Sequence, residues 1–114
     1  MLLEEGALKN GAKLSISISN ANNKDLYEPQ NKILLFKIDG QHYITGSFCG
    51  FDYTNLANGI VLADKIICPT CASTYNIRNG FIEEGPTMRN ISSYPTYVRK
   101  KKVYGLLPLD IAPF

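Results

Sequence analysis

Cys49-Gly50-Phe51 and, after sixteen intervening residues, Cys68-Pro69-Thr70-Cys71 hold all three cysteines of this chain. The second segment runs on as Ala72-Ser73-Thr74-Tyr75-Asn76-Ile77-Arg78-Asn79-Gly80. An odd number of cysteines in a small chain argues against a secreted disulfide framework and for a reducing compartment or a metal site. Taken alone, the Cys-x-x-Cys has several meanings. A redox pair needs its first thiol at the start of a helix, whose dipole lowers the thiol pKa. Ala72 to Ile77 is rich in Ser, Thr and Tyr and runs into Asn79-Gly80, so no helix is expected there. A structural zinc site wants four ligands, usually as two closely spaced pairs, and one pair with a lone Cys49 and the sole histidine, His42, matches that poorly. Buried, idle thiols are the third reading.

Outward from the cysteines the chain reads as short strands. Ile33-Leu34-Leu35-Phe36-Lys37-Ile38 and Gln41-His42-Tyr43-Ile44-Thr45 flank Asp39-Gly40, one of the strongest hairpin signals a sequence can carry. The second arm leads to Phe48 and Cys49. Ile66-Ile67-Cys68 is an apolar run stopped by Pro69, and Thr74 to Ile77 meets Phe81-Ile82-Glu83 across Arg78-Asn79-Gly80. Lys13 to Ser19 alternates Leu14, Ile16 and Ile18 with serines, a period of two. Asn20 to Gln30 reads as a loop, Asn58-Gly59 as a turn, and Thr96 to Arg99 against Val103 to Leu107 as a last hairpin. Gly85-Pro86 opens an irregular stretch, and only Leu2 to Lys9 could make a helical turn or two. These features predict an all-β domain, a sandwich or small barrel, over 1–114.

With 114 residues, 45% hydrophobic and 19% charged, the chain has the composition of a single globular domain. A net charge of +2 and one basic run, Arg99 to Lys102, exclude an extended nucleic-acid surface. No stretch has the length of apolar residues that a membrane span requires. Met1 to Glu5 lacks the charged start and apolar core of a signal peptide, and an intracellular setting, mitochondrial or cytosolic, is expected. One histidine leaves no readable Cys-His dyad, so catalysis by the domain itself is not expected.

The order and spacing of these segments resemble the Rieske family. Its [2Fe-2S] cluster is held by Cys-x-His on one loop and Cys-Pro-x-His on a second, the two thiolates on one iron and the two imidazoles on the other. The family's second loop runs Cys-Pro-x-His-Gly-x-x-Phe-Asn-x-x-x-Gly, against Cys68 to Gly80 here. The Ile33 to Tyr43 segment is similar to the strand, turn and strand that lead into its first loop, and Lys101 to Pro108 to its closing strand. The likeness spans roughly Leu8 to Pro108 and implies the same fold, an antiparallel sandwich or small barrel with an inserted two-loop, cluster-binding-type unit over 47–86.

Two departures fall on the ligands. Phe51 stands at the first histidine position and has no lone pair to offer iron, while Cys71 stands at the second and brings a thiolate instead of an imidazole. Ala72 replaces the glycine of the second loop. The resemblance therefore implies a scaffold that has lost its cluster and serves as an accessory subunit of a larger redox assembly, such as a respiratory one, as the small subunits of some nitrite reductases do. The alternative is an electron-transfer domain, free or joined to a flavin reductase. Its non-standard [2Fe-2S] cluster would sit on Cys49, Cys68 and Cys71, with Asp52 the better fourth ligand than His42. Zinc is a third possibility. Without metal, Phe51 is expected to fill the vacated volume, and Cys49 and Cys68, implied to share an iron, should lie close enough for a disulfide in an oxidising setting. Were a cluster bound, Ser73 and Tyr75 would hydrogen-bond around it; the other tyrosines read as packing. Protein partners are expected at the apolar loop tips around Phe48, Phe51 and Pro69.

Overall fold

The computed structural model describes residues 2–3, 8–17 and 32–108. Within them the strands are β1 (Leu2–Leu3), β2 (Lys13–Ser17), β3 (Lys32–Ile38), β4 (Gln41–Gly46), β5 (Ile60–Leu62), β6 (Lys65–Ile67), β7 (Thr74–Asn76), β8 (Ile82–Glu84), β9 (Ser93–Tyr94), β10 (Thr96–Arg99) and β11 (Lys102–Gly105). They form three antiparallel sheets in the orders β1-β11-β10, β2-β3-β4-β9 and β5-β6-β7-β8. The expected all-β architecture is the one observed.

Strand β3 explains the layout. Its apolar run is continuous rather than alternating, which is what a strand buried on both faces needs. Ile33 and Leu35 face a cluster with Leu3, Ile44 and Val103, while Leu34, Phe36 and Ile38 face a second with Cys49, Leu56, Ile66, Cys68, Tyr75, Ile77 and Ile91. Each of these side chains contributes about 1.5–3 kcal/mol when fully buried. Two of the three thiols are thus members of the hydrophobic core.

The predicted hairpins are present. Asp39 and Gly40 take φ of 51° and 79°, the pair of left-handed residues that matches the strand twist, and bring Ile38 opposite Gln41. Strands β10 and β11 turn at Lys100-Lys101, also both left-handed, with Arg99 opposite Lys102. Strand β7 pairs with β8 across Ile77 to Phe81, with a register shift at Thr74/Tyr75. Arg78 on that turn donates to Asp64, to Asp39 and to the Tyr43 hydroxyl, so it ties the β5–β8 sheet to the β3–β4 turn.

Several expectations change. Leu2–Leu3 is a strand rather than the start of a helical turn, because its backbone completes the free edge of β11. Asn58-Gly59 does not make an isolated turn: it closes a single-turn 3₁₀ helix, Leu56–Asn58, capped by the Asn55 side chain. Strand β5 was not foreseen, since Ile60 and Leu62 point to solvent and give no apolar-in, polar-out alternation. The expected Asn20 to Gln30 loop, the end of the Lys13 to Ser19 run and the tail beyond Pro108 lie outside the described residues.

Candidate functional site

The cysteines lie in two loops of nearly one design. In the first, Cys49 N–H donates to Thr54 O (2.9 Å) and Tyr53 N–H to Cys49 O (3.0 Å). In the second, Cys68 N–H donates to Ser73 O (2.8 Å) and Ala72 N–H to Cys68 O (3.1 Å). Tyr53 and Ala72 both adopt the left-handed conformation, with φ of 61° and 62°. Superposed in this way, Phe51 corresponds to Thr70 and Asp52 to Cys71. Each loop turns the side chain three residues after its cysteine back toward the thiols.

The result is a compact group of four donors. One ligand atom from each of Cys49, Asp52, Cys68 and Cys71 lies within 4.8 Å of every other. Cys49 Sγ is 3.6 Å from Cys71 Sγ, and Cys68 Sγ is 3.7 Å from Asp52 Oδ1. All three cysteines are free thiols, with Cys49 and Cys68 buried and Cys71 half-buried. Asp52, expected to be the better supplementary ligand, is in the group, whereas His42 sits opposite Lys37 in the β3–β4 hairpin and is not.

Neighbouring groups fix these donors. The Tyr75 hydroxyl, fully buried on β7, accepts from Gly50 N–H (3.0 Å) and lies 3.4 Å from Cys49 Sγ, which also accepts from Phe51 N–H (3.5 Å). Thr70 donates its one hydroxyl proton to Asp52 Oδ2, so toward Cys68 Sγ, 3.3 Å away, and Thr54 Oγ1, 2.7 Å away, it can only accept. Ser73 Oγ accepts from the Cys71 thiol (3.1 Å) and from Thr87 N–H (3.2 Å). Thr54 N–H donates to Asp52 Oδ1 at 3.0 Å.

These environments separate the acids. Burial pushes the Cys49 thiol up to about 11 against the hydrogen bonds that favour its thiolate. For Cys68 burial also opposes ionisation, yet the backbone N–H groups of Cys71 and Thr70, which donate to the sulfur, favour the thiolate, and the thiol lies below its ordinary value. The Thr70 hydrogen bond holds Asp52 well below the usual carboxylate range. Burial raises the Tyr75 phenol to about 12, so at neutral pH it is a hydrogen-bonding alcohol.

A model of the Rieske [2Fe-2S] domain matches residues 2–95. The chain belongs to the Rieske domain family. It is 27% identical over 73 residues to human apoptosis-inducing factor 3 and 26% over 72 residues to the mouse protein. The matched parts are 64% and 63% of this chain and 12% of each relative, so the chain spans about an eighth of the length of the curated relatives it matches. Among solved structures it is similar to a chain of the complex of reduced oxygenase and oxidized ferredoxin in carbazole 1,9a-dioxygenase (TM-score 0.75, 18% identity, 88% of this chain and 93% of that one). It is also similar to the Sphingomonas yanoikuyae B1 ferredoxin (0.71, 19%, 90% and 91%) and to the ferredoxin of carbazole 1,9a-dioxygenase from Nocardioides aromaticivorans IC177 (0.70, 17%, 86% and 86%). At those identities the likeness establishes the Rieske fold.

The family's ligand set is not what this Rieske domain presents. Phe51 does not fill the place of an imidazole: the residue is 55% exposed, so the expectation that it packs the vacated volume fails. Strand-like pairing of Phe48 with Asn55 leads the chain into the first loop and buries the Phe48 ring, so Phe48 is core and not part of a docking tip. The exposed apolar groups at the loops are Phe51, Tyr53 and Pro69, with Met88 beside them; Phe51 and Met88 flank a shallow depression with Gly50, Pro86 and Arg89. The cysteines were visible in the sequence. Thr70 was not, because it sits at the variable position of Cys-Pro-x-Cys and its role depends on a carboxylate eighteen residues earlier.

Proposed function

We propose that this chain is an accessory, protein-docking Rieske domain of a larger redox assembly that does not carry the family's [2Fe-2S] cluster and does not catalyse a reaction by itself. The observation that carries this reading is the exposure of Phe51: at a ligand position of the family, a large apolar side chain is left largely in water. A phenyl ring cannot bind iron, and leaving it in water forgoes the stabilisation that burial would bring. It therefore makes sense as a contact. Met88 flanks the same depression as Phe51, Tyr53 and Pro69 are exposed on the same two loops, and exposed apolar groups of this kind mark partner sites. The unit spanning 47–86 is then a docking element on the β-sheet scaffold. Similar ferredoxins are described in complex with an oxygenase, and the curated relatives carry their matching segment within a much longer protein; both favour a domain that works against another protein. The free thiols suit a reducing setting, mitochondrial or cytosolic.

A second reading, an electron carrier with a non-standard cluster, rests on the four-donor group. Lacking both imidazoles, such a centre would lose the ligands that raise the potential of Rieske clusters. One experiment separates the two. Cells expressing tagged wild type or Phe51→Asp are resolved by native electrophoresis, and the tagged protein is analysed for iron and acid-labile sulfide. The accessory reading expects wild type in a larger species, the variant released from it with an unchanged melting temperature, and no cluster. Two irons with two sulfides per chain, or a wild type that runs free, overturns it.

A further inference from the structure

The geometry points to a mononuclear metal site: we infer that Cys49, Asp52, Cys68 and Cys71 hold a single tetrahedral divalent ion of the zinc type, which pins the two loops together. Three thiolates and a carboxylate are a zinc donor set. The spacing agrees once Asp52 is counted as the partner of Cys49. The chain then reads Cys49-x₂-Asp52, fifteen residues, Cys68-x₂-Cys71, two close pairs at the separation seen in zinc sites built from two Cys-x-x-Cys segments. The matching hydrogen bonds of the two loops are the reason the pairs are equivalent in space as well as in sequence.

Distances separate one ion from two. With metal–sulfur bonds of about 2.3 Å and metal–oxygen bonds of about 2.0–2.2 Å, a tetrahedron has S···S edges of about 3.8 Å and S···O edges of about 3.5 Å. The observed edges are 3.6 Å for Cys49 to Cys71 and 3.7 Å for Cys68 to Asp52, and no pair of donors exceeds 4.8 Å. In the family's cluster the positions of Cys49 and Cys71 belong to different irons, with the sulfide-bridged core between them. A separation of 3.6 Å leaves no room for that core.

The surroundings suit the ion. Phe51 N–H and the Tyr75 hydroxyl lie on Cys49 Sγ, Thr54 N–H orients the Asp52 carboxylate, and Thr70 sits between Asp52 and Cys68. Exposed Asp52 and half-buried Cys71 give the ion a way in. Binding is not a redox step. The divalent ion replaces one proton on each of the three thiols, the carboxylate enters already ionised, and the product carries two negative charges with three protons released.

The inference is independent of the docking role, and its test reads metal instead of assembly. The full chain is purified anaerobically without chelator and analysed for zinc, iron and acid-labile sulfide; the metal-free form is then titrated with Zn²⁺ and with Co²⁺. One zinc per chain without sulfide is expected, with Co²⁺ giving intense tetrahedral visible bands and thiolate charge-transfer absorption. Asp52→Asn and Cys71→Ser change residues at the accessible side of the site and should fold. Each should weaken the metal by about tenfold or more, and Cys71→Ser should also cut the charge-transfer intensity. A chain that takes up neither ion overturns the inference and leaves the accessory role standing. A Co²⁺ spectrum that Cys71→Ser does not alter overturns it too, and two irons with two sulfides overturn both readings. A wild type that holds zinc but runs free on native electrophoresis overturns the accessory role alone.

Discussion

The two loops start alike and end differently. Both anchor a buried cysteine by the same pair of backbone hydrogen bonds, and both place a left-handed residue four positions later. Two positions after each cysteine, however, the first loop sends Phe51 out to solvent, while the second turns Thr70 in toward Asp52 and Cys68. Loop backbone and loop chemistry are therefore separable. The backbone of a Rieske loop forms without a histidine, and which donors it delivers is decided by the side chains three residues on. The second loop is also the better braced, by Ser73 against Thr87 and by the close passage of Gly85, whereas the first depends on the Tyr75 hydroxyl.

That asymmetry can be tested from its strongest consequence downward. A Cβ at Gly85 would lie 2.3 Å from Ser73 Cα, at a φ of 105° that side chains rarely adopt; at Gly50 it would lie 3.0 Å from the Arg89 side chain and carbonyl. Gly85→Ala should cost at least about 3 kcal/mol, and Gly50→Ala about 1 kcal/mol, by urea denaturation. Equal losses would erase the difference in bracing. Tyr75→Phe leaves the Gly50 N–H without its partner and should cost about 1–3 kcal/mol, with backbone amide shifts concentrated at Cys49 to Tyr53 in NMR spectra. Shifts of the same size at Cys68 to Ser73 would mean that the tie serves both loops. The smallest effect is a gain. Ala72 holds φ of 62°, and Ala72→Gly relieves about 1–2 kcal/mol of strain while adding some freedom to the unfolded chain, for a net stabilisation near 1 kcal/mol. A destabilised variant would show that the alanine methyl packs usefully.

The scaffold was legible because its signals are local. Ile33 to Phe36 is apolar without interruption and is buried on both faces; Asp39-Gly40 has the chemistry of the turn it makes; the order of motifs from Ile33 to Gly80 led to the right family. The site was legible only in part. Cys49, Cys68, Cys71 and Asp52 were all singled out and are brought together, but the equivalence of Asp52 with Cys71 is invisible until both loops are seen to share one hydrogen-bond pattern. Phe48 was misplaced at the loop tip, and Phe51 as a filler of the vacated volume, for a related reason, whereas Phe51 at the exposed tip agrees with the structure. Both are phenylalanines beside Cys49, and which of them faces water is set by the Phe48–Asn55 bridge, a contact across the loop that no residue pattern announces.

Strand β3 carries one more consequence. Its alternate side chains belong to two separate cores, one reaching Cys49, Cys68 and Tyr75, the other reaching Leu3 of β1 and Val103 of β11. Closely packed interiors are stiff and pass strain on. Displacement of the paired loops by a docked protein would thus be felt, through the thickness of a single strand, in the sheet that joins the two extremes of the described chain. The domain is mechanically continuous from its thiols to β1 and β11.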